Sequence, residues 1–176
     1  MATAANARHP HRLLPAAATP QPHPSRRSAW ARCLGLGLAL GSADLAFVTA
    51  FGLLRDGLPP LRVAQSIAAW ALGREAAFAG GVATAVLGVV LNAMTTAVVV
   101  AGYPRLAALD PRWRRHPRLG GLAYGALAYA LLFDVAVPLW SATPARALPL
   151  DWQVACLVGF ACLVGVPSAL AARSGP

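Results

Sequence analysis

The chain has 176 residues, of which 57% are hydrophobic and 12% are charged, and its mean hydropathy is +0.56. A soluble domain has about 25% charged residues, so the composition excludes that class and indicates a polytopic membrane protein. The formal charge of +9 comes from 15 arginines without any lysine. These arginines cluster in the N-terminal tail and between apolar runs, so we expect no nucleic-acid partner. The lack of lysine beside abundant Ala, Gly and Pro indicates a GC-rich bacterial genome.

The N-terminal segment, residues 1–32, is rich in Pro, Ala, Arg and His and has no apolar periodicity. Such a composition predicts a disordered basic tail. The segment contains His9, His11 and His23, a residue type that can bind metals. Because they are spaced by prolines and lack Cys or acidic partners, we expect them to be solvated rather than to bind a metal.

Four apolar runs follow the tail and predict an all-α membrane protein built as a bundle of four transmembrane helices. Each has about 20 to 24 residues, the length that a helix needs to cross a hydrocarbon core of roughly 30 Å. The predicted membrane domain covers residues 33–172, and residues 173–176 form a short C-terminal tail. The four predicted spans are about 33–54, 80–103, 119–141 and 152–171.

The arginines predict how the chain is oriented. With both termini in the cytoplasm, 11 arginines lie inside and 4 lie outside. This imbalance follows the positive-inside rule and predicts a multi-pass protein of the bacterial inner membrane with both termini cytoplasmic. The cytoplasmic arginines would then contact anionic lipid headgroups at the bilayer surface.

A cleaved leader is the alternative for the first run, because Arg26 and Arg27 precede it and Gly41-Ser42-Ala43 resembles a small-residue cleavage site. The apolar run continues past that site to Leu54, and three more runs follow. Removal of the first span would also place the two termini on opposite sides, against the arginine distribution. We therefore expect a retained first span.

The segment between the first two spans predicts an amphipathic helix at the outer membrane interface. In LRVAQSIAAWALGREAAFA, the side chains of Leu61, Ala64, Ile67 and Ala71 share one helical face. The opposite, polar face contains Arg62, Gln65, Ser66 and Ala69.

Two motifs with small residues four positions apart predict close helix packing. The first is formed by Gly37 and Gly41 in the first span, and the second by Gly121 and Gly125 in the third. Their similar positions also fit a parallel internal duplication, although a chance match is common in a chain rich in Gly and Ala. The glycine faces also suggest a homo-oligomer.

Three polar side chains are predicted inside the membrane: Asp44, Asn92 and Asp134. Asp44 and Asn92 each lie about 11 residues from the inner end of their span, roughly 16 Å deep, and Asp134 lies roughly 6 Å nearer the outer face. Asp44 and Asn92 could therefore meet across a helix pair. A carboxyl group at this depth costs about 2.5 to 3.5 kcal/mol to insert, so each should face the bundle interior.

Two functions are compatible with these residues. In the first, the three side chains are interhelical hydrogen-bonding groups, each contributing around 1 kcal/mol, in a structural or accessory membrane protein. In the second, Asp44 and Asp134 serve a small transporter or proton-coupled channel. The first is the expectation from sequence and the second is the alternative.

The residue inventory gives no sign of an enzyme or of a cofactor. The predicted spans contain no His, and the sequence has no HExxH motif, Walker loop or GxGxxG turn. The three cysteines lie in or at the edge of apolar runs without a CxxC pair, so we expect small buried side chains rather than a disulfide or zinc site. These cysteines are Cys33, Cys156 and Cys162.

The order of these features resembles a group of uncharacterised bacterial four-helix membrane proteins that is distantly similar to the YagU-type inner-membrane family. The resemblance covers residues 37–141 and is carried by LRDGLPPLRVAQSIAAWALGREAAFAGG, TAVLGVVLN and GGLAYGALAYALLFDVAVPLWSA. In that group we expect a His at the position of Asn92 and often an amide near Asp134, so this chain departs at both. The resemblance implies a fold and a location, and it implies no activity.

Overall fold

The computed structural model describes residues 26–110, 112–142 and 149–173. Within these ranges every regular element is a helix. The predicted all-helical fold with four apolar helices is confirmed, and the length and composition of these helices indicate a multi-pass membrane protein. The four helices are span 1 (Trp30–Asp56), span 2 (Gly81–Leu109), span 3 (Pro117–Trp140) and span 4 (Leu150–Arg173).

The helices extend beyond the predicted apolar runs, because backbone hydrogen bonds continue a helix through polar flanking residues. The helix that contains span 1 begins at Arg26, and span 2 continues to Leu109. The predictions for the N-terminal tail up to residue 25 and for residues 174–176 lie outside the described residues. Residues 143–148 between spans 3 and 4 also lie outside them.

Two shorter helices join span 1 to span 2. The first is the connecting helix (Pro60–Leu72), and the second is Arg74–Ala79. Gly57, with φ of 64°, turns the chain after span 1, and Pro60 occupies the first helical position, where its missing N–H is not needed. Gly73, with φ of 79°, separates the two short helices.

Spans 1 and 2 pack closely along the first glycine motif. A Cβ atom added to Gly41 would lie 3.1 Å from Thr96 Oγ1 and 3.3 Å from Ala93 Cα. A Cβ atom on Gly37 would overlap Ala97. The absence of side chains at these two positions is what allows the two backbones to approach.

Spans 3 and 4 pack in the same way along the second glycine motif. A Cβ atom on Gly121 would lie 2.6 Å from Val166 Cα, and one on Gly125 would lie 2.6 Å from Ala161 Cα. Both glycine motifs are therefore occupied by contacts within the chain. A homo-oligomer, which stays a prediction, would need a different surface.

Spans 3 and 4 each contain a π-helical segment, Leu131–Ala136 and Ala161–Gly165. A proline follows two residues after each segment, at Pro138 and Pro167. The proline ring lacks an N–H and clashes with the carbonyl group four residues earlier, which here lies inside the π segment. The wider turn accommodates that clash, and in span 3 the widened turn contains Asp134.

One end of the bundle is closed by aromatic side chains, and we call it the tyrosine end (Tyr103, Trp113 and Tyr124). The rings of Tyr103 and Tyr124 meet edge to face with centroids 5.2 Å apart. The Tyr103 hydroxyl donates to the Trp113 carbonyl at 2.9 Å, and the Tyr124 hydroxyl donates to the Val99 carbonyl at 2.5 Å. These bonds join span 2 to span 3 and to the short helix Arg112–Arg115 between them.

The connecting helix packs on the first turns of span 2 through a face that differs from the expected one. Its buried residues include Gln65, which was expected on the polar face and is 1% exposed. The Gln65 side-chain amide donates to the Gly81 carbonyl at 3.0 Å, at the start of span 2. Arg62 and Ser66 are exposed, as expected. An interfacial position for this helix stays a prediction.

Candidate functional site

A cleft of about 1290 Å³ lies between the spans and occupies one half of the bundle. Its lining includes side chains from all four spans and from the connecting helix. It extends from Asp44 and Asn92, near the middle of spans 1 and 2, to the end of the bundle opposite the tyrosine end. We call this second end the arginine end (Arg55, Arg62 and Arg74), and all three of its arginines line the cleft and are exposed.

Asp44 lies at the deep end of the cleft and is 8% exposed. Its carboxyl group makes no hydrogen bond or ion pair with any residue in the described ranges. Cys156 of span 4 also lines the cleft and lies close enough to interact electrostatically with this carboxyl group. Neither carboxyl oxygen is fully enclosed, so both are accessible from the cleft to a solute or a proton.

Asn92 lines the same cleft, but its side chain is already bonded. Its amide nitrogen donates to the Gly41 carbonyl at 2.8 Å, one turn before Asp44 in span 1. The backbone carbonyl of Asn92 accepts a bond from the Thr96 hydroxyl at 2.9 Å, within span 2. Asn92 therefore joins spans 1 and 2 directly, whereas Asp44 does not.

Asp134 reaches the cleft from the π-helical segment of span 3. It is exposed, unlike Asp44, and lies within electrostatic reach of Tyr129. The structure therefore brings the three predicted intramembrane polar residues, Asp44, Asn92 and Asp134, to one cleft.

The arginine end is ordered by charge pairing between spans 1 and 4. Arg55 contacts Asp56 at 2.8 Å and Asp151 at 2.5 Å, and the indole N–H of Trp152 donates to Asp56 at 2.8 Å. From sequence, Arg55 and Asp56 were expected to be solvated neighbours; they remain exposed, but they also hold the two helix ends together. Exposed pairs of this kind contribute little to stability.

Arg62 and Arg74 lie at the same entrance without a carboxylate partner among the described residues. Both guanidinium groups lie over the ring of Phe78, at 5.1 Å and 5.4 Å from its centroid. Three of the four predicted polar-face residues of the connecting helix thus line the cleft, namely Arg62, Ser66 and Ala69. The fourth, Gln65, contacts span 2.

The main feature that sequence reasoning missed is an aromatic wall along the cleft, formed by Trp70, Tyr129, Phe133 and Phe160. Tyr129 and Phe133 are stacked with centroids 4.6 Å apart, and Trp70 meets Phe133 edge to face at 5.6 Å. Phe160 lies 6.3 Å from Tyr129. One sequence pattern could have indicated this wall: Tyr129 and Phe133 lie one helical turn apart, next to Asp134.

Comparisons with known protein families, curated proteins and solved structures found no match to this chain. The resemblance to a YagU-type family therefore stays a prediction. In the part of the chain that the structure describes, no cluster of three or more His, Cys, Asp or Glu side chains is placed to hold a metal ion. The cleft is the candidate site, and its chemistry is that of a carboxyl-bearing, aromatic-lined binding pocket.

Proposed function

We propose that this protein is a small transporter of the bacterial inner membrane, which binds its solute in the cleft and uses Asp44 as the charged group in contact with that solute or with a proton. The observation that carries the proposal is the Asp44 carboxyl group, buried at the floor of the cleft without a bond to a described residue. Intramembrane ionisable side chains that face a cavity are typical of solute and proton pathways.

The shape of the bundle supports the same proposal. The cleft runs from mid-span to the arginine end, while the aromatic side chains of the tyrosine end close the other half. In alternating access, a transporter binds its solute in a site that is open to one side of the membrane and closed to the other. With both termini in the cytoplasm, as the arginine count favours, the cleft would open to the outside and the connecting helix would lie near the outer interface.

A structural or accessory role is the second candidate, and Asn92 is the observation that favours it. Its bond to the Gly41 carbonyl is an interhelical contact of the kind that stabilises membrane bundles without any transport. That role accounts for Asn92 but leaves the buried, unbonded Asp44 unexplained.

The two native cysteines of span 4 offer a test of the cleft. Cys156 lines the cleft, whereas Cys162 is exposed on the bundle surface outside it. Two single-cysteine proteins, with the other cysteines replaced by alanine, are treated in spheroplasts with a membrane-impermeant maleimide. We expect Cys156 to be labelled from outside and Cys162, which faces lipid, to stay unlabelled. An unlabelled Cys156, or equal labelling of both, would contradict a water-accessible cleft.

A further inference from the structure

Charges of both signs line the cleft, and Asp56 lies beside Arg55 at the arginine end. All three arginines of the lining belong to the arginine end. Asp44 lies at the deep end and Asp134 also lines the cleft, and the described lining has no basic side chain other than those three arginines. An anion bound near Asp44 would therefore meet a buried carboxyl group, where repulsion between like charges is screened less than in water.

The aromatic wall also lines the cleft, with three of its rings on spans 3 and 4. Trp70 belongs to the connecting helix, and its carbonyl accepts from the Ala142 N–H just after span 3. Trp70, Phe133, Tyr129 and Phe160 follow one another with centroid separations between 4.6 and 6.3 Å. The negative face of an aromatic ring attracts a cation, and the attraction strengthens when water is excluded. The rings also supply apolar contact area, which a bare metal ion or ammonium would not use.

A neutral solute could donate a hydrogen bond to the Asp44 carboxyl group but would not offset its negative charge. A cation with apolar substituents satisfies both features at once, because its charge pairs with the carboxyl groups while its substituents pack on the rings. We propose that the cleft binds a lipophilic organic cation, held by Asp44 and Asp134 and by the aromatic wall. This inference rests on the proposed function and names its substrate class.

The unpaired arginines at the cleft entrance predict how a change of charge there would alter cation binding. Arg55 is neutralised by Asp56 and Asp151, but Arg62 and Arg74 have no carboxylate partner among the described residues. Their positive charge opposes the entry of a cation. Removal of one of these charges should therefore strengthen cation binding by about twofold at low salt, an effect that screening removes at high salt.

The test uses two probes of nearly the same shape and opposite charge, tetraphenylphosphonium and tetraphenylborate. Binding to the purified full chain in detergent is measured by equilibrium dialysis, and protection of Cys156 from the maleimide locates the site. We expect tetraphenylphosphonium to bind and to protect Cys156, and Asp44→Asn to weaken that binding by at least about tenfold. Tetraphenylborate should neither protect Cys156 nor depend on Asp44.

Glu75→Gln is the matched control, because it removes an exposed carboxylate that does not line the cleft and should leave cation binding unchanged. Arg62→Gln should strengthen binding. If Asp44→Asn perturbs the fold, two other variants test the inference: Asp134→Asn should weaken cation binding, and Arg62→Gln should strengthen it. Equal binding of the two probes, or an Asp44→Asn protein that binds the cation as wild type does, would overturn the inference.

Failure of this inference and failure of the proposed function are distinguishable. If Cys156 reacts with the aqueous maleimide but tetraphenylphosphonium does not protect it, the inference is wrong while the water-accessible cleft remains. If Cys156 does not react at all, the cleft and the inference fail together.

Discussion

At the scale of single residues, Asp44 and Asn92 show how two polar side chains at the same predicted depth differ. Both line the cleft, as their distances from the inner ends of spans 1 and 2 suggested. Only the Asn92 side chain bonds to a neighbouring helix, by donating to the Gly41 carbonyl. The depth of each residue could be predicted because it depends on counting along one helix. The bonding could not, because it depends on which neighbour each side chain meets.

A matched pair of alanine substitutions separates these two roles. Asn92→Ala removes an interhelical hydrogen bond and should lower the stability of the protein by about 1 kcal/mol. Asp44→Ala removes an unpaired buried carboxyl group and should leave the stability unchanged or raise it. Thermal unfolding of both purified variants in the same detergent measures the difference. A loss of stability in Asp44→Ala as large as that in Asn92→Ala would show that Asp44 is a structural contact.

At the scale of helices, the two glycine motifs set how the spans pair. Span 1 contacts span 2 along Gly37 and Gly41, and span 3 contacts span 4 along Gly121 and Gly125. The sequence indicated that these faces pack closely, since small residues four positions apart lie on one side of a helix. It could not indicate the partner of each face, because the same motif serves contacts within a chain and between chains.

Gly121→Ala tests this pairing. Its Cβ atom would lie 2.6 Å from Val166 Cα, so spans 3 and 4 must separate, and we expect a loss of about 1 to 3 kcal/mol in stability. Gly35→Ala is the control, because no atom lies within 4 Å of its added Cβ and alanine is the better helix former. Thermal unfolding compares the two variants. Equal melting temperatures for the two would mean that the contact between spans 3 and 4 is looser than described.

The connecting helix shows where a periodicity argument fails. Its apolar period predicted a buried face containing Ile67 and a polar face containing Gln65. The structure instead turns Gln65 towards span 2, because Gly88 lets the backbone of the connecting helix approach so closely that any side chain there would overlap the Ala64 carbonyl. A contact between two backbones therefore decides which face is buried, and hydrophobicity along one helix does not contain that information.

At the scale of the whole molecule, the presence of four apolar spans could be predicted, because a span is a local property of chain length and hydropathy. The cleft could not be predicted in the same way. Its floor, wall and entrance come from residues far apart in the sequence, such as Asp44, Phe133 and Arg74, which only the packed bundle brings together. The predicted orientation in the membrane depends on the arginine count alone.

Reporter fusions test that orientation. Fusions that end after Asp56, Trp113 and Arg146 place a reporter in the first, second and third loops. With both termini in the cytoplasm, a periplasmic reporter should be active after Asp56 and Arg146, and a cytoplasmic reporter should be active after Trp113. A cytoplasmic reporter that is active after Asp56 would contradict the predicted topology and would place the arginine end inside the cell.

The central claim is that Asp44 lies at the floor of a water-filled cleft that opens only at the arginine end. The most direct measurement is side-specific labelling of an Asp44→Cys variant whose native cysteines are replaced by alanine. Oriented membrane vesicles are treated from each side with an impermeant thiol reagent. The account predicts reaction from the side of the arginine end and none from the side of the tyrosine end. A residue 44 that reacts from neither side, or only from the tyrosine end, would contradict it.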